Sequence, residues 1–227
     1  FSRMTMRFAD RIVANSAAGL KAFGIETWPQ VQVIRNGVDL SRFNPVPAAR
    51  RDPFSICMVG NFTGKKDQAA LIAALPDVLQ RFPETHLTLV GSGARLSECI
   101  ALTDRLGLDT HIRFVSDCSE PERIIGSCAI GVLLSPGGEG MSNVLLEYMA
   151  MELPVIATDR GGNREIVEDW KSGILVADHL PSTLNEAICL LLENPARAAE
   201  MGIHGRRTVQ EKFSLERMVA AYRQIYG

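Results

Sequence analysis

The chain has 227 residues, of which 46% are hydrophobic and 22% are charged, and its formal net charge at pH 7 is −2. This composition fits one large α/β domain, or a domain and a half, with a substantial core. The small negative charge gives no support for nucleic-acid binding, and no apolar run approaches the ~18 residues of a membrane helix. The five cysteines lack CxxC spacing, so we expect reduced core thiols, as at Cys57 and Cys128, in a cytoplasmic protein.

Apolar runs and turn signals predict alternating strands and helices along the chain. The first part predicts a helix end at 2–9, a strand at 11–15, a helix at 16–23 closed by Gly24, and a strand at 31–35. The segment 38–53, rich in Pro and charge, is predicted to be a linker. The second part predicts strands at 54–59, 86–90, 111–115, 129–134, 154–158 and 173–176, with helices at 66–81, 94–106, 120–125, 142–151, 163–168, 181–193, 195–211 and 214–225. This alternation implies right-handed βαβ units and a parallel sheet.

The segment 129–162 is the most informative part of the chain. Glu139 lies in the glycine-rich turn after a strand, and Glu147 lies between two apolar triplets of the next helix. A helix that is apolar all round is buried, and a buried carboxylate without partners is costly. Glu147 is therefore predicted to bind hydroxyl groups of a ligand whose phosphate meets the N–H groups at the helix start. The alternative is that Glu147 pairs with a neighbouring Arg or Lys and that Glu139 is solvated.

Glycines follow four of the predicted strands, at the sheet edge where α/β proteins bind ligands. They are Gly60, Gly91 with Gly93, Gly137-Gly138 with Gly140, and Gly161-Gly162. Turn geometry alone can require glycine, but four clusters at one edge favour a close approach of the backbone to a ligand. Lys65 and Lys66, which open the following helix, would supply cations for a diphosphate; alone, they would be interpreted as solvated lysines.

Together these residues resemble the glycogen-synthase-like, group 1 family of retaining glycosyltransferases with the GT-B fold. Glu139 and Glu147, with seven residues between them, match the family's two-glutamate signature in its EG-x-x-N-x-LLE form. Further matches lie at 33–45 (the interdomain hinge), 60–75 (the phosphate loop), 154–158, 161–165, 201–202, 205–206 and 213–214. The resemblance implies an α/β fold, a Rossmann-like doubly wound parallel sheet, which forms the carboxy-terminal, donor-binding half of a GT-B enzyme.

The resemblance also implies roles for individual residues. Glu139 would be catalytic, holding hydroxyls of the transferred sugar or stabilising positive charge at its anomeric carbon. Glu147 would accept hydrogen bonds from the ribose of a nucleotide sugar, and Lys66 would neutralise the leaving diphosphate. The other donor-binding candidates are Gly60, Asn61 and Lys65 in the phosphate loop, Phe114, Val115 and Ser116 beside the base, and Gly140, Met141, Ser142, Asn143 and Val144 at the helix start.

Two positions depart from the family pattern. Asn61 stands where the family often has Arg; it can donate a hydrogen bond but carries no charge. Either Lys65 or the helix dipole supplies the second cation, or the position matters less here. Gly64 stands where Pro is common. Because the sequence has no DxD motif and no His/Cys cluster with metal-ligand spacing, we expect metal-independent transfer, and the resemblance implies retention of configuration. We expect no cofactor, and a UDP-linked donor in preference to a GDP-linked one.

The resemblance predicts three parts in the chain. Residues 1–48 would be a remnant of the amino-terminal acceptor domain plus the hinge, residues 49–211 the nucleotide-sugar-binding Rossmann-like domain, and residues 212–227 a helix crossing back toward the amino-terminal domain. Family members have two such domains of ~150 residues, so we expect a fragment that binds donor without efficient transfer. A saccharide or lipid-linked acceptor would bind the absent domain, and peripheral contact with the inner face of the membrane stays open.

Three functions are compatible with these features. The first is the donor-binding half of a glycosyltransferase. The second is a nucleotide-sugar epimerase on the same fold, which the Asn163-Arg164-Glu165 match and the EG-x-x-N-x-LLE form argue against. The third is a non-catalytic nucleotide-sugar-binding module, which Asn61 keeps open. A dehydrogenase is disfavoured because no GxGxxG motif opens a helix after a strand with an acidic residue ~20 positions on.

Overall fold

The computed structural model describes residues 3–47 and 50–226 of the chain. The strands in these ranges are β1 (Ile12–Ala14), β2 (Val31–Val33), β3 (Ser55–Val59), β4 (His86–Val90), β5 (Ile112–Val115), β6 (Ile130–Leu133), β7 (Val155–Thr158) and β8 (Gly173–Val176). The helices are α1 (Arg3–Met6), α2 (Ala17–Phe23), α3 (Gln68–Arg81), α4 (Leu96–Leu106), α5 (Pro121–Ser127), α6 (Asn143–Ala150), α7 (Asn163–Ile166), α8 (Pro181–Glu193), α9 (Pro195–Lys212) and α10 (Leu215–Tyr226). The start of the helix predicted at 2–9, the domain boundary predicted at 48–49 and the last residue of the chain lie outside the described residues.

The strands of the described residues form two parallel sheets. β1 pairs with β2, and the other six strands pair in the order β5-β4-β3-β6-β7-β8. The chain order along the larger sheet reverses between β3 and β6. In an open parallel sheet, such a reversal creates a crevice at the carboxyl ends of the two strands, where ligands bind. The predicted Rossmann-like, doubly wound α/β fold is confirmed.

Both faces of the larger sheet are covered by helices. In β3, Ile56 and Met58 face a core that α3, α4 and α8 complete, whereas Cys57 faces a second core built by α5, α6, α7 and α9. Side chains alternate between the faces of a strand, and strands buried on both faces appear in the sequence as continuous apolar runs. Cys57 and Cys128 are buried free thiols, as predicted.

The ends of some elements differ from the prediction for local reasons. Predicted to start at residue 66, α3 begins at Gln68, because the side chain of Asp67 accepts a hydrogen bond from the N–H of Ala70 at 3.1 Å. Lys65 and Lys66 therefore lie in the turn before the helix and not within it. The helix predicted at 16–23 is α2, which Gly24 closes in the left-handed conformation at φ 60°.

The segment predicted as a linker is partly folded against the main domain. The side chains of Val38 and Phe43 are buried in the core that α6 and α9 share. The N–H of Val38 donates to the carbonyl of Phe213 at 2.9 Å, and its carbonyl accepts from the N–H of Leu215 at 3.1 Å. Two apolar side chains within a Pro-rich and charged segment are enough to anchor it. The segment thereby fixes the start of α10.

Candidate functional site

Two loops meet at the carboxyl ends of β3 and β6. The loop after β3 carries Lys66, and the loop after β6 carries Ser135 and Glu139. Lys66 Nζ forms an ion pair with Glu139 Oε1, and the hydroxyl of Ser135 donates to the same oxygen at 3.1 Å. The two charged side chains are only 13% and 24% exposed, so water screens this pair less than a surface pair. The structure therefore joins the residues predicted to face the diphosphate and the sugar.

A chain of hydrogen bonds connects the two loops that carry the ion pair of Lys66 and Glu139. The N–H of Ser135 donates to Thr158 Oγ1 at 2.9 Å, and that hydroxyl lies 2.7 Å from His179 Nε2. His179 Nδ1 lies 3.0 Å from Asp67 Oδ2, and Asp67 also caps α3. The chain connects the two loops, because Ser135 contacts Glu139 and Asp67 directly follows Lys66. These contacts orient the charged pair, as the supporting groups of a binding site must.

The start of α6 lies beside the same pair. Ser142 is the residue before the helix, and its side chain caps none of the N–H groups of the first turn. Such N–H groups carry partial positive charge and bind anions. The neighbouring polar groups come from the amino-terminal segment: Met141 N donates to Asn15 Oδ1 at 3.4 Å, and Asn36 Nδ2 donates to Asn143 Oδ1 at 2.7 Å. The structure thus brings amino-terminal side chains to the start of α6, where the phosphate of a ligand was predicted to bind.

Glu147 lies one turn into α6, between the fully buried Leu146 and Tyr148. Its carboxylate makes no hydrogen bond or ion pair with any residue in the ranges 3–47 and 50–226. Burial raises the pKa of Glu147, the positive charge of Arg42 lowers it, and the negative charge of Glu122 raises it. The alternative of an internal ion pair is not what the structure shows, since the guanidinium of Arg42 is bound by Glu122. A half-buried carboxylate in this state is a candidate for ligand binding.

Two cavities flank the start of α6. One of about 250 Å³ is lined by Glu147, Asn143 and residues of the segment 37–43. The other, about 550 Å³, lies between the amino-terminal segment and the loop 137–140, and Glu139 lines it. A cavity of about 600 Å³ at the amino ends of β3, β4 and β5 is slightly larger but lies at the opposite edge of the sheet. The carboxyl edge is the better candidate, because parallel sheets bind ligands there and both glutamates lie there.

The structure gives a different reason for four of the eight glycines at this edge. A Cβ on either glycine of the loop 161–162 would overlap the backbone of residues 139–140. A Cβ on either glycine of the loop 91–93 would overlap the backbone of residues 60–62. These positions require glycine because one loop packs directly on another. Loop packing therefore accounts for these four glycines without a ligand, and a close approach of the backbone to a ligand stays a prediction.

A comparison of the sequence with known families decides the family. A sequence model described as "Glycosyl transferases group 1" matches residues 42–208, which is more than half of the chain. The chain belongs to the group 1 glycosyltransferases. The match includes the loops that carry Lys66 and Glu139 and the whole of α6. The predicted family is confirmed.

Similar proteins place this group 1 domain within a larger fold. The GDP-mannose-dependent alpha-(1-6)-phosphatidylinositol monomannoside mannosyltransferase of Mycolicibacterium smegmatis is 32% identical over 188 residues, which cover 75% of this chain and 49% of that protein. A crystal structure of Anabaena HepE with UDP and glucose has a TM-score of 0.89 at 23% identity, covering 97% of this chain and 63% of that one. The carboxy-terminal domain of a group 1 protein, LpcC of Francisella tularensis, has a TM-score of 0.71 at 23% identity, covering 79% of this chain and all of that domain. The chain spans about half the length of the curated relatives it matches, as the carboxy-terminal half of a GT-B fold does.

The structure gives less support to some of the residues that were predicted to bind the donor. The side chain of Phe114 packs on Phe62, with ring centroids 6.1 Å apart, so it belongs to the core. Ser116 is exposed after the end of β5. The side chains of Asn61 and Lys65 are exposed and make no hydrogen bond within the part of the chain that the structure describes. Their roles, and those of the other site residues, stay predictions.

The sequence did not single out four residues that contact the site. Asn15, Asn36 and Ser135 make the hydrogen bonds described above, and Arg42 faces Glu147. Asn36 and Arg42 lie in the stretch 33–45 that matched the family hinge, and that match was the available signal. Ser135 lies only four residues before Glu139, but no predicted motif included it, and Asn15 had no signal because Met141 lies 126 positions away in the chain.

The described residues contain no group of three or more His, Cys, Asp or Glu side chains placed to hold a metal ion. Metal independence therefore stays a prediction from the sequence. In the same residues, no helix is both long and apolar enough to cross a membrane.

Proposed function

We propose that this chain is the donor-binding half of a retaining, metal-independent glycosyltransferase. Its donor is a nucleoside-diphosphate sugar, and its acceptor is a saccharide or a lipid-linked saccharide. The observation that carries the proposal is the half-buried carboxylate of Glu147, which faces a cavity beside the start of α6. A relative that is 32% identical over 188 residues is named as GDP-mannose-dependent, which supports a nucleotide sugar as donor.

The diphosphate would bind at the start of α6. N–H groups of the first turn and the Nζ of Lys66 surround this position, so Lys66 would exchange the carboxylate of Glu139 for phosphate oxygens. The ribose hydroxyls would donate to Glu147 in the cavity of about 250 Å³. These contacts would place the sugar near Glu139 and the cavity of about 550 Å³.

Breaking the sugar–phosphate bond leaves negative charge on the nucleoside diphosphate and positive charge on the sugar ring. Lys66 and the N–H groups of α6 would stabilise the first of these charges, and Glu139, once released from Lys66, the second. Electrostatic stabilisation by preorganised groups of this kind makes the largest contribution to the rate enhancement of many enzymes. The chain of contacts through Ser135, Thr158 and His179 supports that preorganisation.

Titration calorimetry of the chain with UDP, GDP and ADP tests the proposal. We expect binding of a nucleoside diphosphate, with UDP preferred over GDP, and an affinity at least roughly tenfold lower for Glu147→Gln. The matched control is Glu211→Gln, an exposed glutamate of α9, which we expect to bind as the wild type does. No binding of any of the three nucleotides, or wild-type binding by Glu147→Gln, contradicts the proposal.

Activity assays separate the remaining alternatives. Release of free sugar and nucleotide without an acceptor would indicate an epimerase, and binding that is insensitive to Glu139→Ala would indicate a non-catalytic module. Because the chain spans about half of its relatives, we propose that it binds donor but does not transfer sugar efficiently alone. Sugar transfer by this chain to any acceptor would overturn that part.

A further inference from the structure

Arg42 is held in place by a turn that the sequence NGVDLSRF forms. Asp39 Oδ1 accepts hydrogen bonds from the N–H groups of Ser41 at 2.9 Å and Arg42 at 3.2 Å. The next residue, Phe43, is buried in the core, and its N–H donates to the carbonyl of Asp39 at 2.9 Å. The guanidinium of Arg42 lies 5.4 Å from the centre of the Phe43 ring. The turn and the ring therefore restrict where the Arg42 side chain can point.

The guanidinium connects this turn to the segment that follows β5. Its Nε and Nη2 donate to Glu122 Oε2 at 3.1 and 2.9 Å, and Nη2 also donates to the carbonyl of Ser119 at 3.1 Å. Ser119 lies in the loop 116–120, and Glu122 lies in the first turn of α5. Three hydrogen bonds from one planar group fix the loop relative to the hinge.

Arg42 also faces Glu147 across the cavity of about 250 Å³, which both residues line. Within residues 3–47 and 50–226, three charged groups lie near this carboxylate: Arg42 and Asp39 in the hinge turn, which line the cavity with it, and Glu122 in α5. Arg42 lowers the pKa of Glu147, and Glu122 raises it. The ionised carboxylate accepts hydrogen bonds at both oxygens, whereas protonation turns one oxygen into a donor and weakens acceptance from ligand hydroxyls.

We propose that Arg42 is a positioning residue of the donor site, which fixes the loop 116–120 through the carbonyl of Ser119 and holds a positive charge opposite Glu147. This inference rests on the proposed function and goes beyond it, because it assigns the hinge turn to nucleotide recognition. Arg42 does not contact the reacting atoms. It acts through Glu147 and through the backbone of Ser119.

The experiment measures affinity for UDP or GDP, whichever binds the wild-type chain more tightly, between pH 5 and pH 8. The affinity ratio of variant to wild type at each pH cancels the titration of the nucleotide itself. We expect Arg42→Gln to bind about tenfold more weakly at pH 7. We also expect the pH at which half of the affinity is lost to rise, because Glu147 is protonated at higher pH when Arg42 is absent.

Three further variants distinguish this role from a general loss of structure. Glu122→Gln breaks the same ion pair but removes a negative charge, so the half-loss pH should fall. Arg42→Lys keeps the charge and should restore the wild-type half-loss pH while losing the fork of hydrogen bonds. Arg105→Gln removes an exposed charge in the last turn of α4, which lines neither the cavity nor the loop 116–120, and should change neither quantity. Thermal melting of each variant shows whether it is folded.

The outcomes are separable from those of the proposed function. Shifts of half-loss pH in opposite directions for Arg42→Gln and Glu122→Gln support the inference. If both variants shift it in one direction, or if Arg42→Gln binds as the wild type while Glu147→Gln does not, the inference is overturned and the proposed function stands. If the wild-type chain binds neither nucleotide, both proposals are overturned.

Discussion

Glu139 and Glu147 belong to one motif, with seven residues between them, yet the two regions that hold them treat the carboxylates differently. In the loop after β6, Glu139 accepts hydrogen bonds from Lys66 and Ser135, and Ser135 is itself supported through Thr158. In the middle of α6, Glu147 is surrounded by buried apolar neighbours and a cavity. The first carboxylate is compensated by the protein, and the second is not.

The two carboxylates therefore differ in what a ligand would change: Glu139 already has partners in the protein, and Glu147 would gain them from the ligand. The pair of Lys66 and Glu139 is already charged and oriented, so a diphosphate needs only to replace one partner of the lysine. Glu147 has lost part of its hydration in the folded chain before any ligand binds. This loss lowers the stability of the fold, and hydrogen bonds from a ligand would offset it. Variants at the two positions should therefore change stability and affinity in different directions.

The loop that holds Glu139 should be the most sensitive to a change of shape. In Gly162→Ala, the new Cβ overlaps the carbonyl of Gly140, so the backbone around Glu139 has to shift. We expect the free energy of unfolding to fall by about 3 kcal/mol in urea denaturation. The matched control is Gly64→Ala, because nothing lies within 4 Å of a Cβ there, and we expect a change within about 0.5 kcal/mol. Equal stability of the two variants would contradict the close packing of these loops.

The next largest effect concerns the partner of Glu139. Lys66→Ala removes the cation at the diphosphate position, and we expect nucleoside diphosphate affinity to fall about thirtyfold, or about 2 kcal/mol, in titration calorimetry. Glu139→Gln should raise affinity a few-fold, because Lys66 then binds phosphate without giving up a carboxylate. Lys171→Ala is the control, since this exposed lysine lies in the turn before β8 and should change affinity by less than about threefold. A fall in affinity for Glu139→Gln would show that Glu139 itself binds the nucleotide.

The elements of the fold could be predicted from the sequence because their signals are local. Apolar runs and glycine turns are read within a few residues, and the predicted strands 86–90 and 173–176 match β4 and β8 at both ends. The order of the strands in the sheet is a different matter, since pairing β3 with β6 joins residues about 75 positions apart, such as Ile56 and Ile130. No local pattern specifies that pairing, and the resemblance implied a doubly wound parallel sheet without giving its strand order.

The site divides in the same way. One stretch of sequence contains Glu139, Glu147 and the start of α6, so a single motif identified all three. His179 and Asp67 support the site across 112 positions of the chain, and Asn15 reaches Met141 across 126. Arg42 lies in a segment whose Pro and charge content predicted a linker, although the buried side chain of Phe43 fixes it. Composition describes a segment on average and misses its two anchoring residues, Val38 and Phe43.

The smallest effect tests the uncompensated state of Glu147 directly. Burial raises the pKa of Glu147 above its ordinary value of 4.5. Between pH 4.5 and this raised pKa, the folded chain therefore binds more protons than the unfolded chain. The contribution of Glu147 to stability is therefore greatest below pH 4.5 and is lost as pH rises through the raised pKa. Glu147→Gln does not titrate, and we expect it to be more stable than wild type by about 1 kcal/mol at pH 7 in urea denaturation. The difference should shrink toward zero at pH 4, and Glu211→Gln should show no such trend. A wild-type chain that is more stable than Glu147→Gln at pH 7 would mean that the fold itself compensates this carboxylate, and the contrast with Glu139 would be lost.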